Sequence, residues 1–379
     1  MAPFRHERVC VSRRAAMLAA SSASLYCKWP SSAAATSQLT LPLELTAGGV
    51  LTTGIFIDGE PFRVIIDTGS PYLVVPVDDC NTQPPRISAY GCAAPDLFAP
   101  AGRADTSEQY GALPGTMQWL RGDLEFGDTE LEQAQDGDLR LQLRLRDQGG
   151  RAGLVFGGGD RNVMSQSGGA LLGLIREVNH GPSSTISASD LRPTVLSQLG
   201  LSSYRLSAPQ RTLTLSSAPL IAPPSESDAL PLVDPRLDGD GVEHVCCRVD
   251  GDELWIDGIV RRARRPILCV FDSGLSGLVL SQSLVDELGM ADRVTTAPGR
   301  RVERRVRSVQ LGLRTECGRR VELQSGVDES ALFYTQAIRL NWFVDSLNGP
   351  HVVAVGQCVL GRGTLTVDSA TRRATWEPA

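Results

Sequence analysis

The chain has 379 residues, enough for two hydrophobic cores, and 42% of them are hydrophobic, as is typical of a globular protein. Its 37 basic and 43 acidic residues give a formal net charge of −6, which offers no positive field for nucleic acid. Four histidines and nine cysteines without a C-x-x-C pair argue against a zinc site. The 38 glycines and 23 prolines favour strands and turns, so we expect an all-β fold.

The N-terminal segment, residues 1–38, differs in composition from the rest of the chain. It is rich in Ala, Ser and Arg, and Glu7 is its only acidic residue. An arginine pair precedes an apolar run, Ala15 to Leu25, that is too short to cross a bilayer. We therefore expect a targeting segment that directs the protein to a non-cytosolic compartment, secretory, vacuolar or plastid, with a disordered tail as the alternative. No later run approaches ~20 apolar residues, so no integral membrane segment is expected.

The next stretch alternates well enough for strands. Leu39 to Asp58 predicts two of them, and Asp58-Gly59 is a hairpin signal. The return strand, Pro61 to Ile66, ends at Asp67. Burying a lone carboxylate costs several kcal/mol or raises its pKa, so an acidic residue at the end of a buried strand indicates a functional role.

The same pattern occurs twice in the chain. Asp67 is followed by Thr68, Gly69 and Ser70, and Asp272, which ends the apolar strand Ile267 to Phe271, is followed by Ser273 and Gly274. Each turn has an apolar-apolar-Gly run further along, predicted at Leu171-Leu172-Gly173 and at Val359-Leu360-Gly361. We expect the two turns to meet face to face, so that Asp67 and Asp272 share one proton.

The segment Phe62 to Cys80 resembles the N-terminal active-site segment of pepsin-like aspartic peptidases. It has the apolar strand, the Asp-Thr-Gly-Ser turn, a second apolar strand ending in Pro, and a Cys that is close enough to Cys92 to close a small loop. The resemblance covers about residues 39–379. It implies a bilobal pepsin-like acid protease fold, with an N-terminal lobe at 39–218, a C-terminal lobe at 219–379 and a cleft between them. It also places Tyr110 and Gly111 on a flap over the substrate.

The resemblance implies an aspartic endopeptidase that binds a polypeptide as an extended strand. Asp67 and Asp272 would be the catalytic carboxyls that activate a water, with no metal or cofactor, and we expect a monomer. Thr68 and Ser273 would bond across the two turns, and Ser70 would donate to Asp67. The residues that would support the dyad are Thr68, Gly69, Ser70, Ser273 and Gly274.

The sequence departs from the family pattern at three positions. Val74 stands where many members carry Trp, and Leu275 stands where a Thr or Ser is usual. Arg362 follows the predicted second apolar-apolar-Gly run, where the family has an acidic residue. The missing hydroxyl at Leu275 should make Asp272 harder to ionise, which predicts a shifted pH profile or weaker activity. These departures motivate a second hypothesis, a catalytically weakened relative that binds peptides or other ligands. A third, a structural interaction protein, predicts that the two aspartates lie far apart.

Overall fold

The computed structural model describes residues 38–77, 90–108, 115–126, 141–142, 153–176, 193–225, 228–233, 244–290, 306, 308–325 and 349–379. All of them lie in one structural unit, Thr36–Ala379. The predicted flap residues Tyr110 and Gly111, and the predicted targeting segment except for its last residue, lie outside the described residues.

Strands dominate the described residues, which confirms the all-β class. In chain order they are β1 (Gln38–Pro42), β2 (Glu44–Leu45), β3 (Leu51–Ile57), β4 (Glu60–Asp67), β5 (Leu73–Pro76), β6 (Ala99–Pro100), β7 (Thr106–Glu108), β8 (Gly115–Gly122), β9 (Leu124–Phe126), β10 (Leu141–Gln142), β11 (Leu154–Gly159), β12 (Leu171–Gly173), β13 (Ser203–Ser207), β14 (Thr212–Ser216), β15 (Leu230–Pro231), β16 (Cys246–Ile256), β17 (Ile259–Arg262), β18 (Ile267–Phe271), β19 (Leu278–Leu280), β20 (Val309–Arg314), β21 (Arg320–Gln324), β22 (His351–Val355), β23 (Gly363–Asp368) and β24 (Arg373–Pro378).

The helices of the described residues are short. They are α1 (Arg161–Ser167), α2 (Val195–Gln198), α3 (Gln282–Glu287), α4 (Gln357–Leu360) and a 3-10 turn, Pro95–Leu97. Within the described part of the chain, no helix combines the length and apolarity needed to cross a bilayer.

The described strands form three sheets. One runs in the order β10-β9-β3-β4-β12-β5-β11-β8-β6, with β2 on β3 and β7 on β8. A second runs β19-β22-β18-β16-β20-β21, with β17 on β16. The third runs β1-β14-β13-β23-β24-β15 and takes strands from both ends of the chain. The predicted lobe boundary at residue 218 falls in the connection between β14 and β15, and the division into two lobes stays a prediction.

The hairpin that delivers Asp67 forms as its turn residues predict. Strands β3 and β4 pair antiparallel from Thr52↔Ile65 to Ile57↔Glu60. Asp58 and Gly59 join them with φ angles of 52° and 87°, the two positive values that a type I′ turn requires. This turn matches the right-handed twist of the strands, so the register of β4, and with it the position of Asp67, is fixed locally.

The same three-strand arrangement surrounds each aspartate. β4 pairs parallel with β12, which pairs antiparallel with β5. Likewise, β18 pairs parallel with β22, which pairs antiparallel with β19. The three residues of β4 before Asp67 and all of β18 have buried apolar side chains, as in strands covered on both faces. Each aspartate therefore leaves the core from a strand that is held on both sides.

A glycine lies behind each aspartate turn, because backbone approaches backbone closely there. Gly173 is opposite Asp67 in the β12–β4 pair, and a Cβ on it would lie 2.5 Å from the carbonyl oxygen of Ser70. Behind the second turn the equivalent residue is Gly356, where a Cβ would lie 2.4 Å from the carbonyl oxygen of Leu275. Both close approaches exclude any larger residue.

The second apolar-apolar-Gly run is therefore Ala354-Val355-Gly356, and the prediction that Val359-Leu360-Gly361 fills this role is wrong. Residues 357–360 form α4, and Gly361 caps it by donating its N–H to the carbonyl of Gln357 (2.8 Å). The two runs have the same apolar-apolar-Gly pattern. Only the parallel pairing of β22 with β18, which is a non-local contact, distinguishes them.

Candidate active site

The two aspartate turns are interlocked by Thr68 and Ser273. The Thr68 N–H donates to Ser273 Oγ (3.1 Å), and the Ser273 N–H donates to Thr68 Oγ1 (2.9 Å). Each hydroxyl then donates to the strand of the other turn, Thr68 to the carbonyl of Phe271 (2.9 Å) and Ser273 to that of Ile66 (2.6 Å). A hydroxyl is needed at both positions because it must accept and donate at once.

The interlock brings the carboxyl groups of Asp67 and Asp272 into a direct hydrogen bond. The Gly69 N–H donates to Asp67 Oδ1 (2.8 Å), and the Gly274 N–H donates to Asp272 Oδ1 (3.1 Å). The Gly274 N–H also bonds to Asp67.

Each turn glycine packs against the opposite carboxyl group. A Cβ on Gly69 would lie 2.5 Å from Asp272 Cγ, and one on Gly274 would lie 2.7 Å from Asp67 Cγ. Real Cβ atoms do not approach other atoms this closely, so the absence of side chains at both glycines makes room for the pair.

The environment distinguishes the two carboxyl groups. Burial raises the pKa of Asp67, but the N–H of Gly69 and the bond from Asp272 oppose that rise. Burial, followed by the charge of Asp67, raises the pKa of Asp272 well above its usual range. The pair therefore keeps one proton between its two carboxyl groups, and the charge of Asp67 favours Asp272 as the protonated member. Such a pair can remove a proton from one atom and deliver one to a neighbouring atom.

Ser70 lies beside the pair but does not bond to it. Its side chain is 3% exposed, and its Oγ has no hydrogen-bond partner among the described residues. The predicted donation from Ser70 to Asp67 is therefore not made. The backbone of Ser70 is engaged instead, since its carbonyl accepts the N–H of Ile175 (3.1 Å).

The two departures nearest the turns, Val74 and Leu275, have apolar surroundings. Val74 lies in β5 opposite Leu171, fully buried in the core. Leu275 packs on a small cluster that includes Cys246 and Val270. Its N–H, rather than a side chain, helps to hold the pKa of Asp272 down.

Gln357 is a supporting residue that the sequence did not reveal. It directly follows Gly356, and its Nε2 donates to the carbonyl of Ser273 (3.0 Å). The position after the second apolar-apolar-Gly run is therefore Gln357, and the assignment of Arg362 to it is wrong. Arg362 is an exposed residue whose backbone bonds to Val359 and Ala379. The feature that could have identified Gln357 is the segment His351–Val355, which forms a five-residue strand directly before Gly356.

A second polar cluster combines a serine, a histidine and a carboxylate. Ser283 Oγ lies 2.9 Å from Nδ1 of the buried His351, and Glu287 Oε2 lies 2.9 Å from its Nε2. Arg265 approaches the same Nδ1 (3.1 Å) and can only donate, so the Nδ1 lone pair is occupied and the Nε2 proton goes to Glu287. The cluster ties α3 to β22, and it leaves no free base to activate Ser283.

The buried cysteines and metal-ligating residue types offer no competing chemistry in the described part of the chain. Cys246, Cys247 and Cys269 are buried free thiols, and burial raises the pKa of Cys247 to about 12, which makes it a poor nucleophile. Cys92 is disulfide-bonded, and Cys80, the partner that the sequence suggests, lies outside the described residues. No group of three or more His, Cys, Asp or Glu side chains is arranged to hold a metal ion among the residues described.

The chain matches no protein-family model and no curated protein. A functional assignment therefore depends on the geometry of the Asp67–Asp272 pair and on the chemistry that such a pair can perform.

Proposed function

We propose that the protein is an aspartic-type endopeptidase that hydrolyses peptide bonds with a water activated by Asp67 and Asp272. One observation carries the proposal. Two buried carboxyl groups from distant parts of the chain are hydrogen-bonded to each other, and their turns are interlocked through Thr68 and Ser273. A purely structural protein gains little from such a pair, because two buried carboxyls cost stability unless they share a proton.

The proposal includes a pepsin-like, two-lobed arrangement. The repeated three-strand units around β4 and β18 support it, and so does the sheet that joins strands from both ends of the chain. The substrate would lie as an extended strand in a cleft between residues 39–218 and 219–379, under a flap carrying Tyr110 and Gly111. The polypeptide is the expected partner, and the enzyme would act as a monomer.

The reaction follows from the position of the shared proton. Ionised Asp67 takes a proton from a water molecule, whose oxygen attacks the scissile carbonyl carbon. Protonated Asp272 donates to the carbonyl oxygen, so that a neutral tetrahedral intermediate forms. Asp67 then gives the proton that it took from the water to the amide nitrogen, while Asp272 takes a proton back from a hydroxyl of the intermediate. The C–N bond breaks, the carboxyl and amine products form, and the dyad returns to its starting state. The pair titrates as a unit, so its pH profile has two apparent pKa values that belong to the dyad as a whole.

A second candidate is a catalytically weakened protein that binds peptides. The unbonded hydroxyl of Ser70 favours it, and so does the apolar Leu275, because the dyad then has fewer donors to stabilise its ionised member. The two candidates share the same cleft and differ in turnover.

Casein digestion between pH 3 and pH 7, with and without a pepstatin-type inhibitor, separates the candidates. We expect inhibitor-sensitive cleavage that is lost in Asp67→Asn and in Asp272→Asn. Asp96→Asn, which changes an exposed carboxyl, is the control and should retain activity. Activity that survives Asp67→Asn would end the dyad mechanism. Peptide binding without cleavage at any pH would favour the binding protein.

We further propose that residues 1–38 direct the protein to a non-cytosolic compartment, in accord with their composition and short apolar run. A fusion of this segment to a fluorescent protein should leave the cytosol. A diffuse cytosolic signal would contradict the proposal.

A further inference from the structure

Tyr204 is the largest of the fully buried side chains among the described residues. It lies in β13, and its cross-strand neighbours are Leu215 on β14 and Val367 on β23. Directly opposed residues of antiparallel strands point to the same face, so these three side chains share one face of the sheet. The Tyr204 hydroxyl has no hydrogen-bond partner among the described residues. A phenylalanine would fill the same space without burying a polar group, so the hydroxyl requires an explanation.

The face of the sheet that carries the tyrosine lies beneath the two aspartate turns. Val367 lines a small cavity together with Ile175 and Val245. The N–H of Ile175 donates to the carbonyl of Ser70 in the first turn (3.1 Å). The carbonyl of Val245 accepts the N–H of Phe271, the residue before Asp272 (3.0 Å). The cavity wall is thus one hydrogen bond away from each turn.

The electrostatic coupling agrees with this placement. Burial, followed by the charge of Asp67, raises the pKa of Tyr204, so the phenol keeps its proton throughout the working pH range. Two titratable groups of the described residues act on Asp67. They are Asp272 from the second turn and His244, which precedes β16 and lowers the pKa of Asp67 by its charge.

We propose that Tyr204 is a positioning residue for the dyad, its hydroxyl directed at Asp67 from the sheet side so that it favours the ionised form of that carboxyl. Since the hydroxyl has no hydrogen-bond partner among the described residues, it would act on Asp67 through the field of its O–H dipole and not through a direct bond. The inference rests on the proposed peptidase function, because it concerns which carboxyl of the dyad acts as the base.

The decisive variant is Tyr204→Phe, and the chain offers a matched control in Ser203→Ala. Ser203 is the preceding residue of β13, is equally buried, and its hydroxyl also lacks a partner among the described residues. Its side chain points to the opposite face of the sheet, since neighbouring residues of a strand alternate. Both variants remove a buried hydroxyl, but only Tyr204→Phe removes it from the face of the sheet that is turned toward the dyad.

Two readouts should be taken on the full chain: the pH dependence of kcat/KM on a casein peptide, and the ¹³C NMR titration of labelled aspartate carboxyls. Tyr204→Phe should move the acidic limb, and the lower apparent pKa of the dyad, upward by about half a unit to one unit. Ser203→Ala should match the wild type in both. The inference is overturned if Tyr204→Phe also matches the wild type.

Site-specific 3-fluorotyrosine at position 204 gives a second test that keeps the side chain and its packing. Its O–H bond is more strongly polarised and should stabilise the charge of Asp67 more, so the dyad should titrate at lower pH than in the wild type. An unchanged titration contradicts the inference. If the wild type cleaves no peptide, the peptidase proposal fails, but the carboxyl titrations still decide the role of Tyr204.

Discussion

The two aspartate turns have nearly the same backbone and different surroundings. In each turn a glycine N–H donates to the aspartate of the same turn, at 2.8 Å and 3.1 Å, and a hydroxyl donates across to the other strand. Behind the first turn, Gly173 is followed by the apolar Leu174, whereas behind the second turn Gly356 is followed by Gln357, which donates to Ser273. The fold thus supplies the symmetry that brings the acids together.

The unequal surroundings determine what the pair can do. Two carboxyls in identical environments would share their proton equally, and either of them could act as the acid or as the base. Here the charge of Asp67 raises the pKa of Asp272 further, which favours the proton on Asp272 and the negative charge on Asp67. Substitutions at the turn glycines and hydroxyls test the contacts that the two turns have in common. Titrations of the two aspartates test the difference between their surroundings.

The largest effect is expected from Gly69→Ala and Gly274→Ala. Each new methyl group would lie within 2.5–2.7 Å of the opposite carboxyl carbon and would force the pair apart. A displacement of about 1 Å at a reacting group costs about 10²-fold in rate, so kcat should fall by at least that factor in either variant. Gly48→Ala, where the nearest atom would be 3.6 Å away, is the control and should be neutral. If only one of the two variants had a small effect, the two carboxyl groups would be packed less symmetrically than the backbones of their turns.

The next largest effect concerns stability, through Thr68→Ala and Ser273→Ala. Each change leaves a buried N–H and a buried carbonyl without partners, at about 1–3 kcal/mol per group, so we expect losses of about 2–6 kcal/mol in the free energy of unfolding. Urea denaturation of both single variants and of the double variant measures this. Each hydroxyl makes two of the four bonds. The double variant should lose less than the sum, because the first substitution already loosens the two turns that the second hydroxyl holds together. Thr68→Ser and Ser273→Thr keep the hydroxyls and serve as controls, and additive losses would contradict the interlock.

A third prediction concerns the dependence of stability on pH. The folded-state pKa of Asp272 is raised above its ordinary value of 3.8, so the stability it contributes is fully present below that value and is lost as pH rises through the folded pKa. Asp272→Asn does not titrate, and its stability relative to the wild type should therefore increase by about 1–2 kcal/mol between pH 4 and pH 7.

Asp228→Asn provides a control of opposite sign for that experiment. A hydrogen bond from the Thr315 hydroxyl, with others from Cys317 and Arg319, lowers the pKa of Asp228 to about 2. The stability that Asp228 contributes is present above 3.8 and lost as pH falls, so this variant should be weakest, relative to the wild type, at neutral pH. Urea midpoints at pH 4, 5.5 and 7 compare the two variants, and parallel trends would show that the Asp272 pKa is not raised.

The sequence predicts the parts of this site that are locally unusual. A carboxylate at the end of a buried apolar strand conflicts with the energetics of burial, and this conflict alone is enough to single out Asp67 and Asp272 along the chain. The Asp58-Gly59 hairpin is also local, since both residues tolerate positive φ.

The parts that the sequence could not predict depend on non-local contacts. Gly356 and Gly361 follow similar apolar residues, and only the pairing of β22 with β18 shows which glycine backs the second turn. Gln357 and Tyr204 look like ordinary polar and aromatic residues along the chain, and their relation to the turns depends on how β13 and β22 are placed.

The smallest effect is expected from the hydroxyl pattern itself, through Ser70→Ala and Leu275→Thr. Since Ser70 Oγ makes no bond among the described residues, Ser70→Ala should shift the acidic limb of kcat/KM by less than about 0.2 pH units. By the near-symmetry of the turns, a hydroxyl at 275 should not reach Asp272 either. Leu275→Thr should then cost about 1 kcal/mol of packing against Cys246 and Val270 and leave the pH profile unchanged, contrary to what the sequence alone suggests.

Hydrogen bonds in an active site can be long in the free enzyme and shorten when the substrate binds. The two variants therefore test whether the Ser70 hydroxyl reaches Asp67 during catalysis. If Ser70→Ala lowers kcat about tenfold, the hydroxyl reaches Asp67 in the working enzyme, and Leu275→Thr should then raise turnover by completing the second turn. If both variants keep the wild-type pH profile and turnover, the ionised state of Asp67 is set by the backbone of Gly69, by Asp272 and by groups behind the turn. The source of the asymmetry would then lie beneath the dyad rather than within the turns.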